Sequence, residues 1–282
     1  MEVRANAKLN LTLDVLGRRG DGYHDLRMVM QSVDLCDRLT LSPAEGDGGA
    51  VRTNLSFLPS DGHNLAAVAA RRFFEQTGRR TGLSIEICKR IPVCAGMGGG
   101  SSDAAAVLHA LNALTGAGLT VEELMTVGAR VGSDVPYCVL GGTALAEGRG
   151  EVLTPLPPLP RCWVAVCKPG FSISTPELFA RIDGHRIVRR PDTEGMLAAL
   201  AEGSLDEAAR RLYNVFEDVL DRRQRRTVAE IRGALLAEGA LGACMSGTGP
   251  TVFGLFRERE GAQNAVTRLK EDFRDTFLCQ TV

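Results

Sequence analysis

PVCAGMGGGSSDAAAVLHALNAL, residues 92–114, is a glycine-rich run that passes without a break into a helix. Gly96, Gly98 and Gly100, spaced by two with Gly99 between, let the chain turn sharply and approach a ligand with no Cβ in the way. The helix shows its apolar stripe at Ala104, Val107, Leu108, Leu111 and Leu114. Ser101, Ser102 and Asp103 open it. The first N–H groups of a helix lack intrahelical acceptors and sit at the positive end of its dipole, so an anion, phosphate above all, is the expected ligand. The hydroxyls of Ser101 and Ser102 add donors, and Ser102 is a candidate to help hold a Mg2+ ion. The run is not a Walker A sequence, because no Gly-Lys-Ser/Thr follows the glycines, and Ser101 stands where a dinucleotide fingerprint needs its last glycine. A tight strand-to-helix connection without a ligand is the alternative, and the charge of Asp103 beside any phosphate argues for it.

Downstream, GARVGSDVPYCVLGG (residues 128–142) sets Asp134 in a Gly-rich turn just before Pro136 and what reads as an apolar strand. An acid so placed either takes a proton from an attacking hydroxyl or caps the turn. Upstream, NAKLNL puts Lys8 in a polar gap before an apolar strand, in a chain whose only lysines are Lys8, Lys89, Lys168 and Lys270. Strand alternation places Asn10 on the same face as Lys8. A lysine near the base keeps that carboxylate ionised and lowers the pKa of the hydroxyl to be deprotonated; snorkelling from a strand edge is the bland alternative. GDGYHDL offers Tyr23 and His24 for stacking on a base and bonding to its edge, or holds a plain turn aromatic. In ACMSGTGPTVFGLF, Gly247 and Gly249 straddle Thr248 in a loop suited to capping a substrate or phosphates, or to an ordinary hairpin.

Around these segments the periodicities predict strands at 2–16, 28–35 and 37–43, a helix over 64–78, and a strand from Leu83 that Pro92 ends. EGDGG reads as a turn. Thr120 and Glu123 have capping-box spacing at the start of a helix, and LGGTALAEGRGEVL reads as a strand pair. A Pro-rich segment at 153–162 is the expected boundary between domains at 1–155 and 156–282. Beyond it come a strand at 163–167, helices at 175–182, 193–202, 204–211, 214–221 and 224–238, a loop at 243–250, the strand TVFGLF, a helix through REGAQNAVTRLKEDF, and a last edge strand.

The 282 residues, 44% of them apolar, suffice for two moderate domains with real cores. The 33 basic and 34 acidic residues nearly balance, which gives no support for a nucleic-acid surface. Eight cysteines without a Cys-x-x-Cys pair read as free, mostly buried thiols, and the four scattered histidines show no metal spacing. With no apolar run of membrane length and no secretory pattern at the N-terminus, a cytoplasmic protein is expected, either a monomer or a weak homodimer, with no nucleic-acid or membrane partner.

NAKLNLTL, PVCAGMGGGSSDAA and SGTGPTVFGLF, in that order, resemble the three motifs of the GHMP kinase superfamily over essentially the whole chain. The resemblance implies an α/β (α+β) two-domain fold: an N-terminal α/β domain, a C-terminal domain with a ferredoxin-like core, and an active site in the cleft between them. It implies ATP-dependent phosphorylation of a small-molecule hydroxyl, with ATP and Mg2+. The narrower segments NAKLNLTLDVLGRRGDGYHDLRMVMQSVDL, GSDVPYCVLGGTALAEGRGE and PGFSISTPELF are similar to those members whose substrate is a cytidine diphosphate-linked methylerythritol. Carried over residue by residue, Asp134 is the general base and Lys8 its electrostatic partner, and Asn10 orients the substrate. Pro92 and Ala95, Gly96, Met97, Gly98, Gly99, Gly100, Ser101 and Ser102 wrap the ATP phosphates. Tyr23 and Phe179 sandwich the cytosine, His24 reads its edge, and Thr175 and Thr248 sit near the substrate. Asp103 matches the family's motif. Cys94 departs from it, since glycine is usual there, and Met97 replaces a common leucine; if position 94 requires a positive φ, the loop must adjust. Homoserine or mevalonate kinase activity, which needs no aromatic clamp, and a non-catalytic nucleotide-binding regulator are the alternatives.

Overall fold

The computed structural model describes residues 1–44, 48–79 and 82–282, and the chain divides into two units. The first comprises Met1–Ala7, Cys36–Ile91 and Gly98–Gly141. It takes the first residues of β1 (Glu2–Arg18), the last part of β2 (His24–Pro43), β3 (Gly48–Thr53), α1 (Leu65–Thr77), β4 (Gly82–Cys88), α2 (Gly99–Thr115), α3 (Val121–Ala129) and α4 (Val135–Leu140). β2 pairs antiparallel with β4, Arg38 opposite Cys88, and β4 pairs parallel with β3. Leu39, Leu41, Leu83, Ile85 and Ile87 meet Phe73 of α1 and Val107, Leu108 and Leu111 of α2 in one core. Phe73 is fully buried, a burial that stabilises by about 1.5–3 kcal/mol. Asn64 caps α1 by accepting from the N–H of Ala66, and Thr120 with Glu123 forms the expected capping box of α3.

The second unit comprises Lys8–Leu35, Pro92–Met97 and Gly142–Val282. Here β2 pairs antiparallel with β5 (Thr143–Gly148), which pairs with β6 (Val152–Pro155), while β1 pairs with the two-residue β8 (Tyr213–Asn214). Residues 7–15 of β1 are buried on both faces, although apolar and polar residues alternate along them, with Leu9, Leu11 and Leu13 on one face and Lys8, Asn10 and Thr12 on the other. The remaining strands are β7 (Trp163–Lys168), β9 (Gly242–Met245), β10 (Val252–Phe256) and β11 (Asp275–Gln280). They form an antiparallel sheet in the order β11-β7-β10-β9. Along the chain, α5 (Thr175–Asp183), α6 (Thr193–Ala201), α7 (Leu205–Arg210) and α8 (Arg222–Ala237) separate β7 from β9, and α9 (Arg259–Lys270) separates β10 from β11. That sequence and strand order is the expected ferredoxin-like core.

Three elements differ from the sequence expectations. Val135–Leu140 is helix α4, not strand: a short apolar run does not reveal its period, and Pro136 fits the first turn of a helix. The helix expected at 214–221 is β8 followed by a 3-10 turn, Val215–Val219. The Asn214 side chain accepts from the N–H of Phe216 and donates to the carbonyls of Met245 and Gly247, which competes with helix formation. β9 occupies the start of the expected loop at 243–250. The turn expected at 45–49 falls partly on 45–47, outside the described residues; Gly48 and Gly49 already belong to β3. All eight cysteines are free, Cys88 and Cys94 exposed and five buried. Among the described residues, no helix is long and apolar enough to cross a membrane.

Candidate active site

β1 supplies the first functional pair. Lys8 and Asn10 lie on one face of the strand, both buried, and the Lys8 ammonium donates to Asn10 Oδ1 at 2.8 Å. The Asn10 amide donates in turn to Met28 Sδ at 3.3 Å. The backbone N–H of Lys8 holds the glycine-rich loop by donating to the Met97 carbonyl at 3.0 Å. Met97 and Ala95 are themselves buried, so they anchor the loop from below.

The two glycine-rich loops meet backbone to backbone. Ser246 Oγ donates to the Gly96 carbonyl at 2.9 Å and accepts from the N–H of Asn10 at 3.2 Å. Gly96 has φ +72°, and a Cβ there would lie 2.1 Å from the Ser246 carbonyl oxygen; one on Gly247 would lie 2.9 Å from the Gly96 carbonyl oxygen. Both positions therefore exclude any side chain. Ser246 and Asn214, which anchors this loop through its carbonyls, were missed by sequence reasoning; Ser246 was visible only as a neighbour of the glycines. Cys94 adopts φ +52°, the conformation its usual glycine would suit.

In the first unit, α2 begins at Gly99 after a left-handed Gly98 with φ +69°. The N–H of Ser102 makes the first helical bond, to the Gly98 carbonyl at 2.8 Å. The N–H groups of Gly99, Gly100 and Ser101 precede it and lie at the positive end of a 17-residue helix. That arrangement fits a polyphosphate. Ser102 is buried and donates its hydroxyl to the Asn6 carbonyl at 2.5 Å, so a lone pair is all it has to offer a metal ion. Among the described residues, no three His, Cys, Asp or Glu side chains are grouped to hold a metal. Asp103 turns its carboxylate to Lys89, at 2.6 Å; burial pushes that carboxyl up to about 8. Its charge near phosphates, the objection raised by the sequence, is thereby neutralised. Asp134 sits half-buried at the N-cap of α4; its carbonyl accepts from the N–H of Cys138 at 3.1 Å, and its side chain makes no capping bond to that helix.

The candidate aromatic residues of the second unit form one group and an outlying ring. His24 and Phe179 stack, centroids 4.6 Å apart with an interplanar angle of 24°, and Phe216 meets Phe179 edge-on. His24 Nε2 bonds to Asp183 Oδ1 at 2.6 Å. Tyr23 is 54% exposed, with the Arg149 guanidinium 5.0 Å above its ring. Thr175 and Thr248 share a hydroxyl hydrogen bond of 2.9 Å. In the second unit the structure thus joins Lys8 to Asn10, Thr175 to Thr248, and His24 to Phe179.

Two family models match the chain: GHMP kinases N terminal domain over residues 64–142, and GHMP kinases C terminal over residues 196–275. The 4-diphosphocytidyl-2-C-methyl-D-erythritol kinase of Alkaliphilus metalliredigens is 41% identical over 281 residues, covering 100% of this chain and 96% of that protein. The enzyme of that name from Lachnoclostridium phytofermentans is 43% identical, over 96% of this chain and 92% of its own length. A crystal structure of 4-(cytidine 5'-diphospho)-2C-methyl-D-erythritol kinase superimposes with TM-score 0.84 at 36% identity, covering 100% of this chain and 99% of that one. Homoserine kinase from Cytophaga hutchinsonii shares the fold, with TM-score 0.75 at 19% identity over 100% of this chain and 94% of that one.

Proposed function

This chain belongs to the GHMP kinases and, within them, to the 4-diphosphocytidyl-2-C-methyl-D-erythritol kinases, and from that premise we propose how its residues divide the reaction. The enzyme transfers the γ-phosphoryl group of ATP to the 2-hydroxyl of 4-diphosphocytidyl-2-C-methyl-D-erythritol, giving the 2-phosphate and ADP. The N–H groups of Gly99, Gly100 and Ser101, with the loop from Pro92 to Gly98, cradle the phosphates. Asp134 takes the proton from the 2-hydroxyl as its oxygen attacks the γ-phosphorus in line with the departing ADP oxygen. Lys8 is its electrostatic partner, and Asn10, held by Lys8, orients the erythritol end. Transfer is direct, with no covalent enzyme intermediate, so positioning and charge neutralisation supply most of the acceleration. Mg2+ arriving with the triphosphate would supply charge neutralisation there, and Ser102, its hydroxyl proton given to the Asn6 carbonyl, would offer it one lone pair. His24, fixed by Asp183, reads the cytosine edge; Tyr23 and Phe179 flank the ring; Thr175 and Thr248 hold the substrate beside its phosphates.

The observation that carries these roles is the double duty of Lys8, whose backbone N–H holds the glycine-rich loop through Met97 while its ammonium binds Asn10. One residue therefore links the nucleotide's loop to the acceptor's end of the strand. ADP release from Mg-ATP, with the cytidine compound, homoserine and mevalonate offered in turn, tests the substrate. Fast turnover of the cytidine compound alone is expected, and turnover of either other acceptor instead would overturn it. Asp134→Asn, with an unchanged circular dichroism spectrum, lowers kcat by about 10²–10⁴-fold, the usual worth of a positioned base. Near-normal turnover would remove Asp134 from that role.

A further inference from the structure

The turn that enters the glycine-rich loop and the helix that leaves it are tied together by three buried ionisable side chains. Lys89 follows the last residue of β4, and its ammonium binds Asp37 Oδ2 on β2 and, at 2.6 Å, Asp103 Oδ2 in the first turn of α2. The three side chains are at most 5% exposed. Asp37 also fixes the turn through its backbone: Oδ1 accepts from the N–H groups of Arg90 at 2.5 Å and Ile91 at 2.8 Å. Asn54 holds Lys89 from another side, accepting from its N–H at 2.8 Å and donating to its carbonyl at 3.2 Å. The turn also packs against the helix start, since a Cβ on Gly99 would lie 3.1 Å from Ile91 Cγ2 and 3.4 Å from Lys89 Nζ.

Stability alone is a poor reason for such a cluster. Buried ion pairs are often no more stabilising than apolar residues of the same volume, and Asp103 Oδ1 meets no hydrogen-bond partner among the described residues. Burial by itself would lower the Lys89 pKa, but attraction to Asp103 and Asp37 outweighs it and holds the ammonium charged. What the cluster does provide is a fixed distance. It joins residues 89–91, immediately before the loop, to the helical turn whose N–H groups point out of α2.

We propose that Lys89, gripped between Asp37 and Asp103, is a positioning residue for ATP that sets where the N–H groups of Gly99, Gly100 and Ser101 hold its phosphates. This rests on the reading that those groups bind the triphosphate. Lys89 acts through α2, whose first turn it holds at Asp103.

Asp103→Ala cuts the tie to α2 and leaves the Asp37–Lys89 pair and the turn in place. Alanine is the best helix former, and a buried carboxyl with an unpartnered oxygen is lost, so the melting temperature holds or rises. The KM for ATP rises on the order of tenfold, because small misplacements of a reacting group are costly, while the KM for the cytidine substrate stays put. Asp103→Asn keeps an oxygen for Lys89 and returns the KM for ATP toward the wild-type value. Lys89→Met moves the KM for ATP in the same direction and further, with a lower melting temperature. An unmoved KM for ATP in folded Asp103→Ala overturns the inference, as does an equal rise in both KM values. The premise is read separately, from ATP protection of the amides of residues 99–101 against hydrogen exchange in the unaltered enzyme. Protection there with an unmoved KM in Asp103→Ala removes the inference alone; no protection removes the premise with it.

Discussion

The glycine-rich loop at 94–97 and the aromatic group of His24 and Phe179 lie in the same unit, yet the first is made of backbone and the second of side chains. At Gly96 the geometry leaves no freedom: a positive φ, a carbonyl held by Ser246 Oγ, and the backbone of a second loop where a Cβ would go. At the aromatic group the rings touch through faces and edges, Asp183 holds the imidazole, and Tyr23 stands largely in solvent. A triphosphate presents the same oxygens in every nucleotide, so fixed N–H groups suit it. A base must be told from other bases, and side chains add to the backbone's donors and acceptors the π-faces and the choice of polar groups that such reading needs. The loop should therefore tolerate nothing, and the aromatic group should yield by degrees.

Gly96→Ala attacks the backbone end and carries the largest expected effect of the two. The new Cβ meets the Ser246 carbonyl oxygen at 2.1 Å and the Gly249 nitrogen at 3.1 Å, both backbone atoms, in a conformation alanine avoids. Neither neighbour can rotate away, so the loop itself must shift, and kcat/KM for ATP falls by about 10²-fold or more, as misplacement of a reacting group does. Steady-state kinetics at varied ATP measures it. A variant with normal kinetics would show that the contact with the 246–250 loop does not fix the phosphate end.

Tyr23→Ala attacks the side-chain end. Tyr23 is mostly exposed, so folding stability should stay within about 0.5 kcal/mol. Stacking of a base on an aromatic ring is worth about 1–3 kcal/mol, so the KM for the cytidine substrate should rise by roughly tenfold with kcat nearly kept. Equal losses in KM and kcat would mean that Tyr23 shapes the reacting centre, and the contrast between the two ends would collapse. No loss would leave His24 and Phe179 to hold the base alone.

The same contrast explains which features are legible in the amino-acid sequence. The loop is legible because glycine is chosen for backbone reasons and the helix after it announces itself by its stripe at Ala104, Val107, Leu108 and Leu111. Lys8 and Asn10 are legible through strand alternation, which survives burial of both faces. Residues whose role depends on distant neighbours are not. Nothing near Asn214 signals that its amide belongs to the carbonyls of Met245 and Gly247. The apolar run of α4 has no visible period over its six residues. Lys89 stands out as one of few lysines, but its partners Asp37 and Asp103 lie 52 and 14 positions away. For the aromatic group the residue types are visible and the partners are not: Phe179 lies against His24.

Cys94 gives the smallest and most informative test, because it is the one residue of the backbone-built end that breaks that end's rule. Its φ of +52° puts an L side chain in the left-handed region, at a cost of roughly 1–2 kcal/mol. Its thiol is exposed, so removing it sacrifices little packing. Glycine at the site adds unfolded-state entropy worth roughly 0.5–1 kcal/mol, which works against the gain. The net gain spans zero to about 1.5 kcal/mol, so Cys94→Gly should leave stability unchanged or raise it by up to about 1.5 kcal/mol in a denaturant titration, with an unchanged m-value and unchanged kinetics. Destabilisation would mean that the Cys94 side chain supports the loop through contacts worth more than its strain, and that even this end draws on side chains.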